Sequence, residues 1–140
     1  MFTHRIIRRS AVLAAAAVVG LLGAAPAAQA SGYSSWTPDQ LANACYSHGT
    51  ENVFYGVIPT TQVQQGSSGD CVAWAQYLLV RAGAPGYVQS DVDGQFGPQT
   101  NGAVRAIQQR NLTDNDGYDC GGVDGQVGPL TWWCLEYVDG

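Results

Sequence analysis

The chain has 140 residues, with six basic and eleven acidic side chains and a net charge of −5. Half of the positive charge (Arg5, Arg8, Arg9) lies in residues 1–30; the remaining three arginines, with no lysine, face all eleven carboxylates, a net charge of −8. Such a chain has no basic patch with which to displace counterions, so neither nucleic acid nor an anionic membrane surface is an expected partner.

In chain order, the arginines of residues 1–30 precede an almost uncharged run from Ala11 to Ala28, which ends in Ala28-Gln29-Ala30. That is the pattern of a secretion signal with an A-x-A cleavage site, and its small residues and Pro26 favour removal over a membrane anchor. Arg8-Arg9 is compatible with either a general or a twin-arginine route. Ser31 to Gly140 leaves 110 residues, one small domain (66–140) preceded by an extension (31–65). Within the extension Ser31–Ser35 reads as a polar tail. Thr37-Pro38-Asp39-Gln40 then carries an N-cap, a first-turn proline and a capping box, which predicts a helix from Pro38 to about Tyr46, with Trp36 free to staple onto Leu41 or a neighbour. Val53-Phe54-Tyr55 and Val57-Ile58 are candidate short strands in the stretch that follows.

Gly66–Gly69 leads into Asp70 and CVAWAQYLLVRAG, whose apolar spacing predicts a helix over Asp70–Ala82 stopped by Gly83 and Pro85. Beyond it an eight-residue pattern occurs twice, 31 residues apart: DGQFGPQT at Asp93–Thr100 and DGQVGPLT at Asp124–Thr131. In each copy Asp93-Gly94 or Asp124-Gly125 makes a turn that needs positive φ at glycine, and Phe96 or Val127 points into a core. Gly97-Pro98 and Gly128-Pro129 open a helix, with Thr100 and Thr131 placed to bond N-terminal donors. The expected helices are Pro98 to about Asn111, burying Ala103, Val104 and Ile107 with Arg105 and Arg110 outward, and Pro129 to about Val138. The fold class is mainly α: a compact orthogonal three-helix bundle with two DG-turn repeats and a short helical extension.

Four cysteines in an exported chain of this size read as two disulfides. Three pairings are open; Cys45 with Cys71 would tie the extension to the domain, and Cys120 with Cys134 would close a local loop. Metal binding fits the cysteines poorly, because no pair is spaced CxxC and His48 is the only histidine after residue 30. Asp91 and Asp93, or Asp114, Asp116 and Asp119, resemble the start of a calcium loop without its full alternation or distal glutamate, so solvated turns are the default. No cofactor is implied.

With these residues laid out, the chain resembles the peptidoglycan-binding domain attached to bacterial and phage cell-wall hydrolases. The resemblance rests on Gly66–Asp70, Val72, Ala75-Gln76, Leu79, both DG motifs, Ala103-Val104 with Gln108, and Trp132 with Leu135. Ala75 and Ile107 depart from the usual residues, and the loop from Asn111 to Val123 is longer and holds a cysteine. It implies a non-catalytic, secreted bacterial module that binds peptidoglycan, through its glycan or its stem peptide, at the cell wall. Asp93, Gly94, Gly97, Pro98, Thr100, Asp124, Gly125, Gly128, Pro129 and Thr131 are then structural.

For ligand contact the candidates are Trp133, Tyr87 and Trp132, with Trp132 weighted towards the core, and the amides Gln95, Gln126 and Asn101. Trp74, Tyr77 and Tyr137 complete an aromatic set too large to fit wholly inside a small bundle. Two other readings stand beside this one. The first is an interaction module or inhibitor whose partner is a wall enzyme. The second is a small hydrolase with a carboxylate pair, although only Glu51 and Glu136 are glutamates and the aspartates lie mostly in turns.

Overall fold

Helix α2 (Asp70–Arg81) is the axis of the molecule, because eight of its twelve residues, from Cys71 to Leu79, are buried. The computed structural model describes residues 32–53, 56–113 and 119–138. The expected signal sequence, the strand residues Phe54 and Tyr55, and Asp114 and Asp116 of the acidic loop lie outside the described residues. Helix α1 (Pro38–Tyr46) packs across α2, turning Leu41 and Cys45, one helical turn apart, into the core. It starts where the sequence predicts: Gln40 N–H donates to Thr37 Oγ1 (3.3 Å) and Thr37 N–H donates to Gln40 Oε1 (2.8 Å). An antiparallel hairpin follows, β1 (Thr50–Val53) with β2 (Gly56–Pro59), in the register Glu51 to Ile58 and Asn52 to Val57. The first strand thus begins three residues earlier than the apolar run suggested, since Ile58 supplies the buried contact and β1 lies largely in solvent.

Helix α3 (Pro98–Thr113) buries Ala103, Val104 and Ile107 against α2. Helix α4 (Pro129–Trp133) continues as a π-helical turn over Cys134–Val138, with Trp132, Cys134 and Leu135 buried. The disulfides are Cys45–Cys71 and Cys120–Cys134. Leu41, Cys45, Ile58 and Val63 belong to the same hydrophobic core as the three later helices, so the extension and the helical unit share one interior. Tyr33 also departs from the polar-tail expectation: residues Tyr33–Ser35 form a 3-10 turn, and its ring packs onto that core and beside Trp36.

Both DG turns are held by one device. In the first copy the fully buried Gln76 of α2 accepts at Oε1 from the N–H groups of Asp93 (3.0 Å) and Gly94 (2.8 Å). Its Nε2 donates to Asp93 Oδ1, the Gln95 carbonyl and Thr100 Oγ1. In the second copy Gln108 of α3 receives Gly125 N–H (2.9 Å) and donates to Asp124 Oδ1, the Gln126 carbonyl and Thr131 Oγ1. A buried amide can stay inside only if its donors and acceptors are met, and here one side chain also satisfies the turn it holds. This corrects the expected role of Thr100 and Thr131: both hydroxyls are buried acceptors of the clamp, and the N-terminal donors are left to other partners. The positive φ of Gly94 (74°) and Gly125 (77°) agrees with the turn reading.

A strap of residues 61–69 binds the two copies together. Val63 exchanges backbone hydrogen bonds with Val127 (3.2 and 2.8 Å); further along, Gly66 N–H donates to Phe96 O and Phe96 N–H to Ser67 O (2.9 Å each). Trp132 Nε1 donates to the Thr61 carbonyl (2.8 Å), which fixes the start of the strap. Arg110 also departs from expectation, turning back to donate from Nη1 to the Ala82 carbonyl (2.7 Å) at the end of α2.

Candidate functional site

A groove of about 860 Å³ lies between the extension and the N-terminus of α2. It is lined by Tyr33 and Trp36 from the start of the extension, by His48, which follows α1, by Asp70, which opens α2, and by the strap residues Gln62, Ser67 and Ser68. The Tyr33 and Trp36 rings lie 4.9 Å apart, tilted by 60°, and Trp36 is 36% exposed. Their placement depends on the first DG turn, because the Tyr33 ring packs against Gly94, where an added Cβ would fall 2.5 Å from Cε2.

Asp70 is the charged centre of the groove. Tyr33 Oη donates to its Oδ1 (2.8 Å) and His48 Nε2 lies 3.0 Å from Oδ2; a carboxylate acceptor there places the imidazole proton on Nε2. The bond to His48, assisted by that to Tyr33 and opposed by burial, holds the Asp70 carboxyl below its ordinary range. Burial, followed by the hydrogen bond to Asp70 and its charge, pushes the Tyr33 hydroxyl up to about 12. The Cys45–Cys71 bridge lies directly beneath: Asp70 precedes one cysteine, His48 follows the other by three residues, and the Cα atoms are 4.4 Å apart.

Two smaller clefts lie elsewhere. One, of about 200 Å³, is lined by Gln62, Asp124, Gln126, Gly128 and Leu130, and Gln62 Nε2 donates to Gln126 Oε1 across it. The other, of about 170 Å³, surrounds Glu136, which accepts from Trp74 Nε1 (2.8 Å) and Tyr46 Oη (2.9 Å) beside Arg81 and Tyr137. Burial raises the Glu136 carboxyl above its usual range despite both bonds. The two perturbed carboxylates therefore sit in separate clefts, and neither cleft is lined by a second carboxylate among the described residues. Ser67 and Ser68 share the large groove with His48 and Asp70, yet the hydrogen bond of the Ser67 hydroxyl is from Gln64 N–H (3.1 Å).

The sequence-predicted ligand residues are dispersed. Tyr87 and Trp132 are buried, Tyr87 Oη bonding Thr100 Oγ1 (2.9 Å), so both serve the core. Trp133 is half-buried against that core. Asn101 accepts from Arg105 Nε (3.0 Å) and donates to the Gly125 carbonyl, beside the second turn. Gln95 is exposed on the first turn, while Gln126 lies in the small cleft on the second. None of these lines the large groove. Of its own polar residues, His48 and Asp70 were legible only through the cysteines, since a Cys45–Cys71 bond brings their neighbourhoods together, and Tyr33 was not legible at all.

With this geometry in hand, residues 68–135, which contain both clamped turns, match the family described as "Putative peptidoglycan binding domain". The chain is also 36% identical over 129 residues to an uncharacterized protein of Kitasatospora aureofaciens from the bpoA1 3'region, covering 89% of this chain and 90% of that one. The chain belongs to the peptidoglycan-binding domain family. The second alignment is too long to be confined to the matched domain and runs into the extension as well. A crystal structure of a peptidoglycan-binding protein from Clostridioides difficile in complex with glutamine hydroxamate is 28% identical, with a TM-score of 0.46, covering 59% of this chain. The present chain spans 46% of that protein.

Proposed function

We propose that this protein is a secreted, non-catalytic module that binds peptidoglycan in the bacterial cell wall. The observation that carries the reading is the family match over a region in which both DG turns are present and each is clamped by its glutamine. The two disulfides support an oxidising location outside the cytoplasm. A non-catalytic role is supported by the separation of the perturbed carboxylates, since glycoside hydrolysis needs an acid and a base or nucleophile roughly 5–9.5 Å apart across one bond. With three arginines after residue 30, recognition has to rest on hydrogen bonds and aromatic faces more than on charge.

Co-sedimentation of the oxidised protein with purified peptidoglycan, with and without its anionic polymers, tests this. The expected result is saturable pelleting with no fragments released into the supernatant. Failure to pelletise with either preparation overturns wall binding and directs attention to protein partners. Fragment release lost in Glu136→Gln or Asp70→Asn overturns the non-catalytic assignment.

A further inference from the structure

We propose that the groove between the extension and α2 is a glycan site, holding N-acylated amino-sugar units through Trp36, Tyr33, Asp70 and His48. The assignment rests on the wall-binding reading and adds to it the place and the part of the polymer that is held. The groove belongs to this chain more than to the matched domain: Tyr33, Trp36, His48 and Gln62 precede residue 68, where the family match begins. Its volume of about 860 Å³ falls within the roughly 300–1,000 Å³ common for ligand clefts.

The lining matches a sugar's alternation of apolar ring faces and polar edges. Trp36 and Tyr33 offer adjacent aromatic surface on one wall. Beside them, Asp70 is kept ionised by two donors, one of them the Tyr33 hydroxyl, and retains acceptor capacity for hydroxyls, since each carboxylate oxygen has two lone pairs. His48 is turned with Nε2 towards Asp70, and Nδ1 has no partner among the described residues, which leaves that ring nitrogen to bond an amide or hydroxyl group. Gln62, whose Nε2 donates to Gln126, adds its amide oxygen as a further acceptor.

Charge separates glycan from stem peptide. Among the described residues no arginine lines the groove: Arg81 borders the Glu136 cleft, Arg105 donates to the Val123 and Asp124 carbonyls, and Arg110 donates to Ala82. Carboxylates of a stem peptide would meet the negative charge of Asp70, and the one ionisable base beside it, His48, is already bonded to that carboxylate. Neutral sugar hydroxyls and acetamido groups meet no such penalty. The Cys45–Cys71 bridge and the Tyr33–Asp70–His48 bonds hold these groups in place before a ligand arrives, which reduces the ordering cost of binding.

The test compares wild type, Trp36→Ala, Asp70→Asn and the exposed control Val88→Ala, all oxidised, for binding to intact peptidoglycan, peptide-free glycan strands and free stem peptides. The Trp36 and Asp70 variants leave the buried core untouched, and thermal unfolding establishes that each is folded. The expected result is saturable binding of the wild type to intact wall and to peptide-free strands, weakened at least about tenfold by each groove substitution and unchanged by Val88→Ala. Free stem peptides should not compete. If wild type binds wall and both groove variants bind equally well, the groove assignment fails while wall binding stands. If stem peptides bind and glycan strands do not, the ligand class is wrong. If intact wall is not bound at all, the wall-binding reading fails and this inference with it.

Discussion

The two DG repeats share a sequence and a clamp but are put to different uses. In the first, the Gly94 turn is covered by the Tyr33 ring, an element contributed by the extension, and this contact positions a wall of the large groove. In the second, Gly125 is covered by Asn101 and Arg105 of α3, side chains of the helical unit itself, and the adjoining cleft is small. A motif that solves a local problem, turning the chain and starting a helix, is neutral with respect to function. What packs over it decides whether the turn only braces the core or also shapes a surface.

The largest effect expected is from breaking the clamps. Gln76→Ala or Gln108→Ala leaves a buried glycine N–H and its neighbours without partners and should cost about 3–5 kcal/mol each, read from denaturant unfolding. Near-equal losses would establish that the clamps are equivalent; a much smaller loss at Gln108 would mean that the second copy has other support. Next are the disulfides. Replacing Cys45 and Cys71 by alanine should cost about 3–4 kcal/mol, slightly more than the about 3 kcal/mol for Cys120 and Cys134, whose loop is shorter. The first pair alone should also loosen the groove, seen as chemical-shift changes at His48 and Asp70.

A more direct comparison is Gly94→Ala against Gly125→Ala. Both place a Cβ at positive φ, at about 1–2 kcal/mol. The first must also displace a rigid Tyr33 ring, whereas the second meets the movable end of Asn101, so Gly94→Ala should be the more destabilising. Equal losses would show that Tyr33 yields without cost.

The smallest effects are those of pH, and the two perturbed carboxylates give opposite signs. Asp70 has a lowered folded pKa, so its stabilisation is complete above about 3.9, the unfolded value, and is lost as pH falls through the folded one. Glu136 has a raised folded pKa, so the folded state is favoured most below about 4.3 and loses stability as pH rises through the folded value. The stability difference between wild type and Asp70→Asn should therefore grow with pH from acid conditions, and that between wild type and Glu136→Gln should shrink. The same slope for both would contradict the environments described for the two clefts.

Much of the fold was legible because its signals are local. The Thr37–Gln40 capping box, the prolines that open α3 and α4, and Gly83 after α2 each act within a turn of chain, and the helices start where these residues place them. The last helix ends at Val138 as expected, but its change from α to π at Cys134 was not legible, because that turn coincides with a disulfide and with packing against β2 and α2, neither of which is a nearest-neighbour effect. Gln76 and Gln108 are legible in the sequence only as residues of the family pattern; that each reaches 17 or 18 residues along the chain to hold a turn depends on helices crossing at a particular height.

The candidate groove was less legible than the fold. Aromatic content pointed to Tyr87 and Trp132, but size and apolarity are what a core also selects, and the core took both. Tyr33 lies in a segment that reads as a polar tail, Trp36 reads as a staple onto the first helix, and only the Cys45–Cys71 pairing hinted that His48 would meet Asp70.

By itself the sequence determined the helix starts, the repeated turn, the charge and the class of domain, all of which follow from short-range chemistry and a repeated pattern. Only the tertiary structure decided that the extension shares the core, that each turn is clamped by a distant glutamine, and that Tyr33, Trp36, His48 and Asp70 line one groove. Those juxtapositions arise from packing between residues tens of positions apart, which no local preference encodes.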